Sequence, residues 1–202
     1  MNKSSRLVCG MGAKGMSYPA SMGGKDVEEY KLWHMMLVRC TEPYWRDRPT
    51  YTGTSCSENF RSYPYFYEWC QEQTGFKNKD EHGRYWQLDK DLLVKGNKLY
   101  SEDICVFVPS RINSLLNKRK SARGECPIGV CLYKTNGKFI SQCADGKGKL
   151  KTLGYYNTPE EAFHSYKIFK EDIIKRVAEE YKSQIDIRVY KSLMNYNICA
   201  ED

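Results

Sequence analysis

Residues 127–182 read PIGVCLYKTNGKFISQCADGKGKLKTLGYYNTPEEAFHSYKIFKEDIIKRVAEEYK, and this stretch decides the fold of the C-terminal third. Two runs rich in strand formers, 128–133 and 138–144, are joined through 134–137, where Asn136-Gly137 is a strong hairpin signal. A third run, LKTLGYY, follows the glycine turn ADGKGK. Thr158-Pro159-Glu160-Glu161 then places a cap, a first-position proline and a capping-box glutamate in order. Phe163, Tyr166, Phe169, Ile173, Val177 and Tyr181 recur at helical spacing and form the face turned to the sheet. Strand alternation sends Val130, Leu132, Phe139, Ser141 and Cys143 toward the helix. It sends Cys131, Tyr133, Lys138, Ile140, Gln142 and Ala144 away from it. The expectation for 126–184 is a three-stranded antiparallel sheet packed on one long helix.

Upstream, NKRKSARG has four basic residues and little apolar content, so 117–125 reads as a basic hinge. Residues 1–116 form a mixed half of two helices and a ββα-like element, which makes the whole chain α+β. Residues 10–24 are glycine-rich and irregular. A helix is predicted from Asp26, its cap, with Glu28 and Glu29 at its positive end and Val27, Tyr30, Trp33 and Leu37 on its apolar side. The prolines and glycine of 40–56 suggest an extended excursion. A second helix starts near Ser62, with Pro64 in its first turn, and ends before Gly75. Downstream, 185–202 reads as a tail in which Ile185, Ile187 and Val189 fit either an edge strand or a continuing helix.

Charge is distributed unevenly. Residues 1–110 hold 15 Lys/Arg against 14 Asp/Glu, and 152–202 hold seven against nine. Residues 111–151 hold ten basic residues and two acidic ones, a local excess that phosphate attraction explains economically. The nine cysteines are odd in number and never spaced CxxC, unlike a secreted disulfide framework, which points to a reduced, cytoplasmic protein. Neither a membrane-spanning apolar run nor a secretory signal is visible. There is no phosphate-cradling GxxxxGK[ST] loop, so no nucleoside triphosphate is expected.

The C-terminal stretch resembles the apetala/ethylene-response-factor type of DNA-binding domain. The likeness rests on Gly129-Val130, on Gly137-Lys138-Phe139, and on Leu153-Gly154-Tyr155 ahead of an acidic helix start with Ala162 and Tyr166. It implies a sheet lying in the major groove of double-stranded DNA, as β-ribbon readers do. That family carries arginines at outward positions; this chain has Ile128, Cys131, Tyr133 and Ala144 there. The implied grip is therefore lysine-based and sequence-tolerant. Its residues would be Lys118, Arg119, Lys120 and Arg123 of the hinge, with Tyr133, Lys134, Lys138, Gln142, Lys149 and Lys151; Lys147 and Tyr155 lie alongside.

Residues 86–116, WQLDKDLLVKGNKLYSEDICVFVPSRINSLL, together with KLWHMMLVRC and FYEWC, resemble bacteriophage proteins that join an HNH homing-endonuclease-like half to such a C-terminal module. In that family a histidine activates water beside one divalent metal. The resemblance implies Asp89, Asp91, Asn97 and Asn113 as ligands of Mg²⁺ or another divalent cation. Asp89, Asp91 and His82 would be catalytic, because Gln87 occupies the histidine position and His82 is the nearest imidazole. Structural zinc is disfavoured: His34, Cys40, Cys56, Cys70, His82 and Cys105 match no paired ligand spacing.

The leading expectation is a phage-type DNA-binding protein of the homing-endonuclease lineage, acting in the cytoplasm of a bacterial host. Two alternatives stand beside it. One is an active metal-dependent nicking endonuclease. The other is a non-catalytic protein of host takeover that inhibits a host defence or enzyme.

Overall fold

The structure, a computed structural model, describes residues 7–116, 125–146 and 148–202. It is α+β and divides into two compact units, the first ending at Pro109 and the second beginning at Ser110.

The first unit opens with a loop and a minimal hairpin, β1 (Ser21–Met22) with β2 (Lys25–Asp26). The loop is anchored where Gly12 lies against the first helix. A Cβ there would stand 2.3 Å from Leu37 Cδ1 and 2.7 Å from the Trp33 ring, so only glycine permits the approach. Helix α1 (Glu28–Arg39) follows, but Asp26 does not cap it. Asp26 is taken up by pairing with Ser21, and Val27 stands at the cap position without a side-chain bond. Glu29 of the first turn is buried instead, receiving Lys77 Nζ at 2.7 Å and Gln71 Nε2 at 3.0 Å. Burial works to raise its carboxyl pKa, and the bonds from Lys77 and Gln71 outweigh it, leaving the group below the usual range.

Residues 40–56 are not extended. They form α2 (Glu42–Asp47) and a 3-10 turn over Pro49–Tyr51. Pro43 and Pro49 each sit in a first helical turn, where a missing N–H costs nothing, so they start structure here rather than break it. Strand β3 (Ser55–Cys56) leads to α3 (Tyr63–Glu72), which Ser62 caps by accepting from the Tyr65 amide, with Pro64 in the first turn as predicted. Three short strands complete the unit: β4 (Gln87–Asp89), β5 (Leu99–Tyr100) and β6 (Val106–Val108). β3 pairs with β5 in parallel and β4 with β6 antiparallel. The core is aromatic: Trp33, Phe60, Tyr63, Phe66 and Phe107 are fully enclosed. Trp33 satisfies its indole N–H on the Phe60 carbonyl at 2.8 Å.

The second unit begins with α4 (Ser110–Leu115). Sequence places the division at 117–125. The structure instead joins α4 to the C-terminal residues, since Arg111 pairs with Glu180 and donates to the Gly146 carbonyl at 3.3 Å. Strands β7 (Val130–Tyr133), β8 (Lys138–Ala144) and β9 (Leu150–Tyr156) form one antiparallel sheet in that order. Helix α5 (Pro159–Tyr181) packs on it. Its capping box is complete, with Thr158 Oγ1 accepting from the Glu161 amide and Glu161 accepting from the Thr158 amide. Gly129 is required at φ +76°, and a Cβ there would meet the Tyr166 ring at 2.0 Å.

The buried stripe of α5 is rotated from the expected one. Tyr166, Ile173 and Val177 are in it, but Phe163 and Phe169 are only half-buried, and Ala162, Lys170, Ile174 and Ala178 fill the centre. Alanines let the helix approach closely, and Lys170, though charged, lies in the same buried stripe. Residues 185–202 are no tail. Helix α6 (Ile187–Met194) is capped by Asp186, and Ile185, Val189, Leu193 and Ile198 are buried. Glu171 accepts the Ile198 amide at 2.9 Å, and the Ile128 amide donates to the Ala200 carbonyl at 3.3 Å.

Candidate functional site

Cross-strand register fixes which side chains share the sheet face turned away from α5. Val130, Ser141 and Gly154 stand in one row, and Val130, Ser141 and Cys143 are buried beneath the helix. Leu132 has the same parity but remains 49% exposed. The neighbouring row, Cys131, Ile140 and Tyr155, therefore faces outward, with Tyr133 opposite Lys138. Tyr133 and Tyr155 meet edge to face, their ring centroids 5.4 Å apart. Lys134 and Lys138 are exposed at the hairpin end, where Asn136 Oδ1 accepts the Lys138 amide. Lys149 is exposed at the other end, in a turn closed by its amide on Asp145 Oδ1.

Between Ser141 and Gln142 the pairing slips: Ser141 opposes Gly154, whereas Gln142 opposes Thr152. The extra residue in β9 is Leu153, and such a bulge reverses the facing of every residue beyond it. Thr152 is thereby turned outward, where its hydroxyl accepts from Gln142 Nε2 at 3.2 Å. Lys151 opposes the buried Cys143, on the helix side, and its ammonium lies 5.0 Å from the Phe169 ring centroid. Lys151 is thus separated from the other lysines of the expected grip. Alternation alone misses Thr152; Gly154, a glycine inside a strand, is the signal that marks the bulge. No Asp or Glu occurs in any of the three strands. Lys118, Arg119, Lys120, Arg123 and Lys147 lie outside the described residues.

Asp89 and Asp91 are used locally. Asp89 ends β4, and its Oδ1 accepts the amides of Asp91 at 2.9 Å and Leu92 at 2.7 Å. Burial, then the neighbouring Asp91 carboxylate, push its pKa up. Asn97 spends its side chain on the same loop: Nδ2 donates to the carbonyls of Lys90 and Leu99, and Oδ1 accepts the Leu99 amide. Asn113 lies on α4, in the second unit. His82 sits on a separate exposed turn, organised by Asp80, which accepts the amides of His82 and Arg84. The carboxylate beside its ring is Glu81, at 3.6 Å.

One Asp89 oxygen and the Asn97 oxygen already hold amides, and Asp91 is half exposed beside Lys90. Among the described residues, no group of three or more His, Cys, Asp or Glu is placed to hold a metal ion. Among them, too, no helix is long and apolar enough to cross a membrane. No family model, curated protein or solved structure matches the chain.

Proposed function

We propose that this chain is a DNA-binding protein of the homing-endonuclease lineage, working in the cytoplasm of a phage-infected bacterial host. In this reading the outward face of the β7–β9 sheet grips duplex DNA. The observation that carries it is the composition of that face. Two exposed tyrosines, Gln142 and Thr152 form a polar-aromatic strip, Lys134, Lys138 and Lys149 flank it, and the strands contain no carboxylate. Lysines at the rim meet phosphates as point charges and set position, while the strip offers few bidentate donors for reading bases. The grip is accordingly tight at low salt and tolerant of sequence.

Sidedness tests this reading. Fluorescence anisotropy with a labelled duplex compares Lys138→Ala and Tyr155→Ala, both outward, with Lys151→Ala, on the helix side. The outward changes should each weaken binding several-fold, with Lys151→Ala close to the parent. Equal losses at all three positions, or no binding by the parent, refute it.

A further inference from the structure

The middle of the outward sheet face is apolar as well as free of carboxylates. Cys131, Ile140 and Tyr155 stand in one cross-strand row, and Tyr133 stands opposite Lys138 at the hairpin end. Tyr133 and Tyr155 belong to the two outer strands of the sheet. Their ring centroids nevertheless lie 5.4 Å apart, so the two side chains lean toward each other over β8. Each keeps much of its surface in solvent, Tyr133 40% exposed and Tyr155 51%.

The charge around this strip is of one sign. Lys134 and Lys138 are exposed at the hairpin end and Lys149 at the other, and Asp145 of the intervening turn accepts the Lys149 amide. Lysines attract the phosphates of any nucleic acid, paired or not. The aromatic strip is more selective. Exposed aromatic surface gains most when another flat apolar face covers it. In a duplex the base faces lie against one another, and a protein meets only base edges and backbone. In an unpaired strand those faces are open and stack on aromatic side chains.

We infer that this face takes an unpaired nucleic-acid strand in preference to duplex, with bases stacked on Tyr133 and Tyr155 and phosphates on Lys134, Lys138 and Lys149. The inference rests on the reading of the face as a nucleic-acid grip and narrows its ligand. Duplex reaches the same lysines, and an unpaired strand adds stacking to them. Strand β8 has seven residues, and at about 3.3 Å each they give roughly 23 Å between the two lysine ends, room for several nucleotides. Stacking tolerates any sequence, because every base has such a face.

Fluorescence anisotropy of the full chain tests this at about 0.15 M salt, where screening trims the charge attraction that favours duplex. Three labelled probes of about 20 nucleotides are used, longer than the roughly 4–16 that a small β-fold covers. They are oligothymidylate, oligouridylate, and oligothymidylate annealed to oligoadenylate. At least one unpaired strand should bind about fivefold or more tighter than the duplex, the gain expected of one stacked base. The DNA and RNA arms show which sugar the face accepts. Tyr133→Leu with Tyr155→Leu keeps apolar surface but removes the rings, so the preference should fall toward one. Tyr133→Phe with Tyr155→Phe should keep it, and Lys138→Ala should weaken every bound probe while leaving it unchanged. Unpaired strands bound no more tightly than duplex, or a preference that survives the leucine changes, overturn the inference. Duplex binding that depends on Lys138 without such a preference overturns it alone and leaves the grip standing. Single-strand binding with no duplex binding does the reverse.

Discussion

Replacing Lys170 by methionine takes a charge out of the middle of the interface between α5 and the sheet. Lys170 is 9% exposed and lies in the buried stripe between Tyr166 and Ile173, with Cys143 as its titratable neighbour. Burial holds its ammonium below the ordinary lysine range, and the Cys143 thiol offsets this only in part. Across the same interface the enclosed hydroxyl of Ser141 lacks a partner among the described residues. Methionine keeps the unbranched stem and its packing while removing the desolvated charge. A desolvated polar group costs about 1–3 kcal/mol in proteins, so Lys170→Met should stabilise the second unit by about that amount. For a unit of this size that corresponds to a melting-temperature rise of at least about 4 °C.

The pH dependence of Lys170 has a definite sign. With the folded value depressed, the unfolded chain binds the proton that the folded chain releases, so this contribution makes the parent more stable as pH climbs toward the ordinary lysine range. The advantage of the methionine variant should therefore shrink as pH rises. Urea unfolding of the full chain at pH 7 and pH 9.5, parent against variant, measures both effects. A variant no more stable than the parent at pH 7, or an advantage that grows with pH, would contradict a desolvated charge at Lys170.

Three further outcomes are expected. Gly129→Ala should cost about 2 kcal/mol or more in urea unfolding, because the new methyl meets Tyr166 and the backbone stays at positive φ. Burial raises the hydroxyl pKa of both Tyr63 and Tyr100. Their protonated state therefore contributes stability that is lost as pH rises past the ordinary tyrosine value, and denaturation midpoints should fall between about pH 9 and 11. Asp89→Ala, which strands two amides, should destabilise by about 1–3 kcal/mol, while Asp91→Ala should stay within about 0.5 kcal/mol. Equal costs at the two positions would contradict a structural role for Asp89.

The second unit was legible because its signals are local. Asn136-Gly137 set the hairpin, Thr158 to Glu161 set the helix start, and period-two alternation put Ser141 and Cys143 under the helix. Alternation failed at Lys151, since one residue of slip at Leu153 turns the rest of β9 over, and only Gly154 hinted at it. The rotation of the α5 stripe was also hidden, because a buried lysine between Tyr166 and Ile173 looks polar in sequence. Residues 185–202 fit two templates until packing against α5 chose the helix. In the first unit the prolines of 40–56 read as breakers, though each begins a turn of helix. The acidic stretch suggested ligands by residue type. Whether a carboxylate is free or already holds amides depends on loop geometry, which spacing does not carry.

The salt dependence of duplex binding reports the lysine–phosphate contacts of the sheet face themselves. Parent protein and a Lys134→Gln, Lys138→Gln, Lys149→Gln variant are titrated with one labelled duplex from about 50 to 200 mM salt. Each lysine on a phosphate contributes roughly 0.9 to the slope of log affinity against log salt, so the variant's slope should be shallower by up to about 2.7. Duplexes of unrelated sequence should bind the parent with closely similar affinity. A parent slope near zero, or a variant slope equal to the parent's, would contradict a lysine-based grip by this face of the sheet.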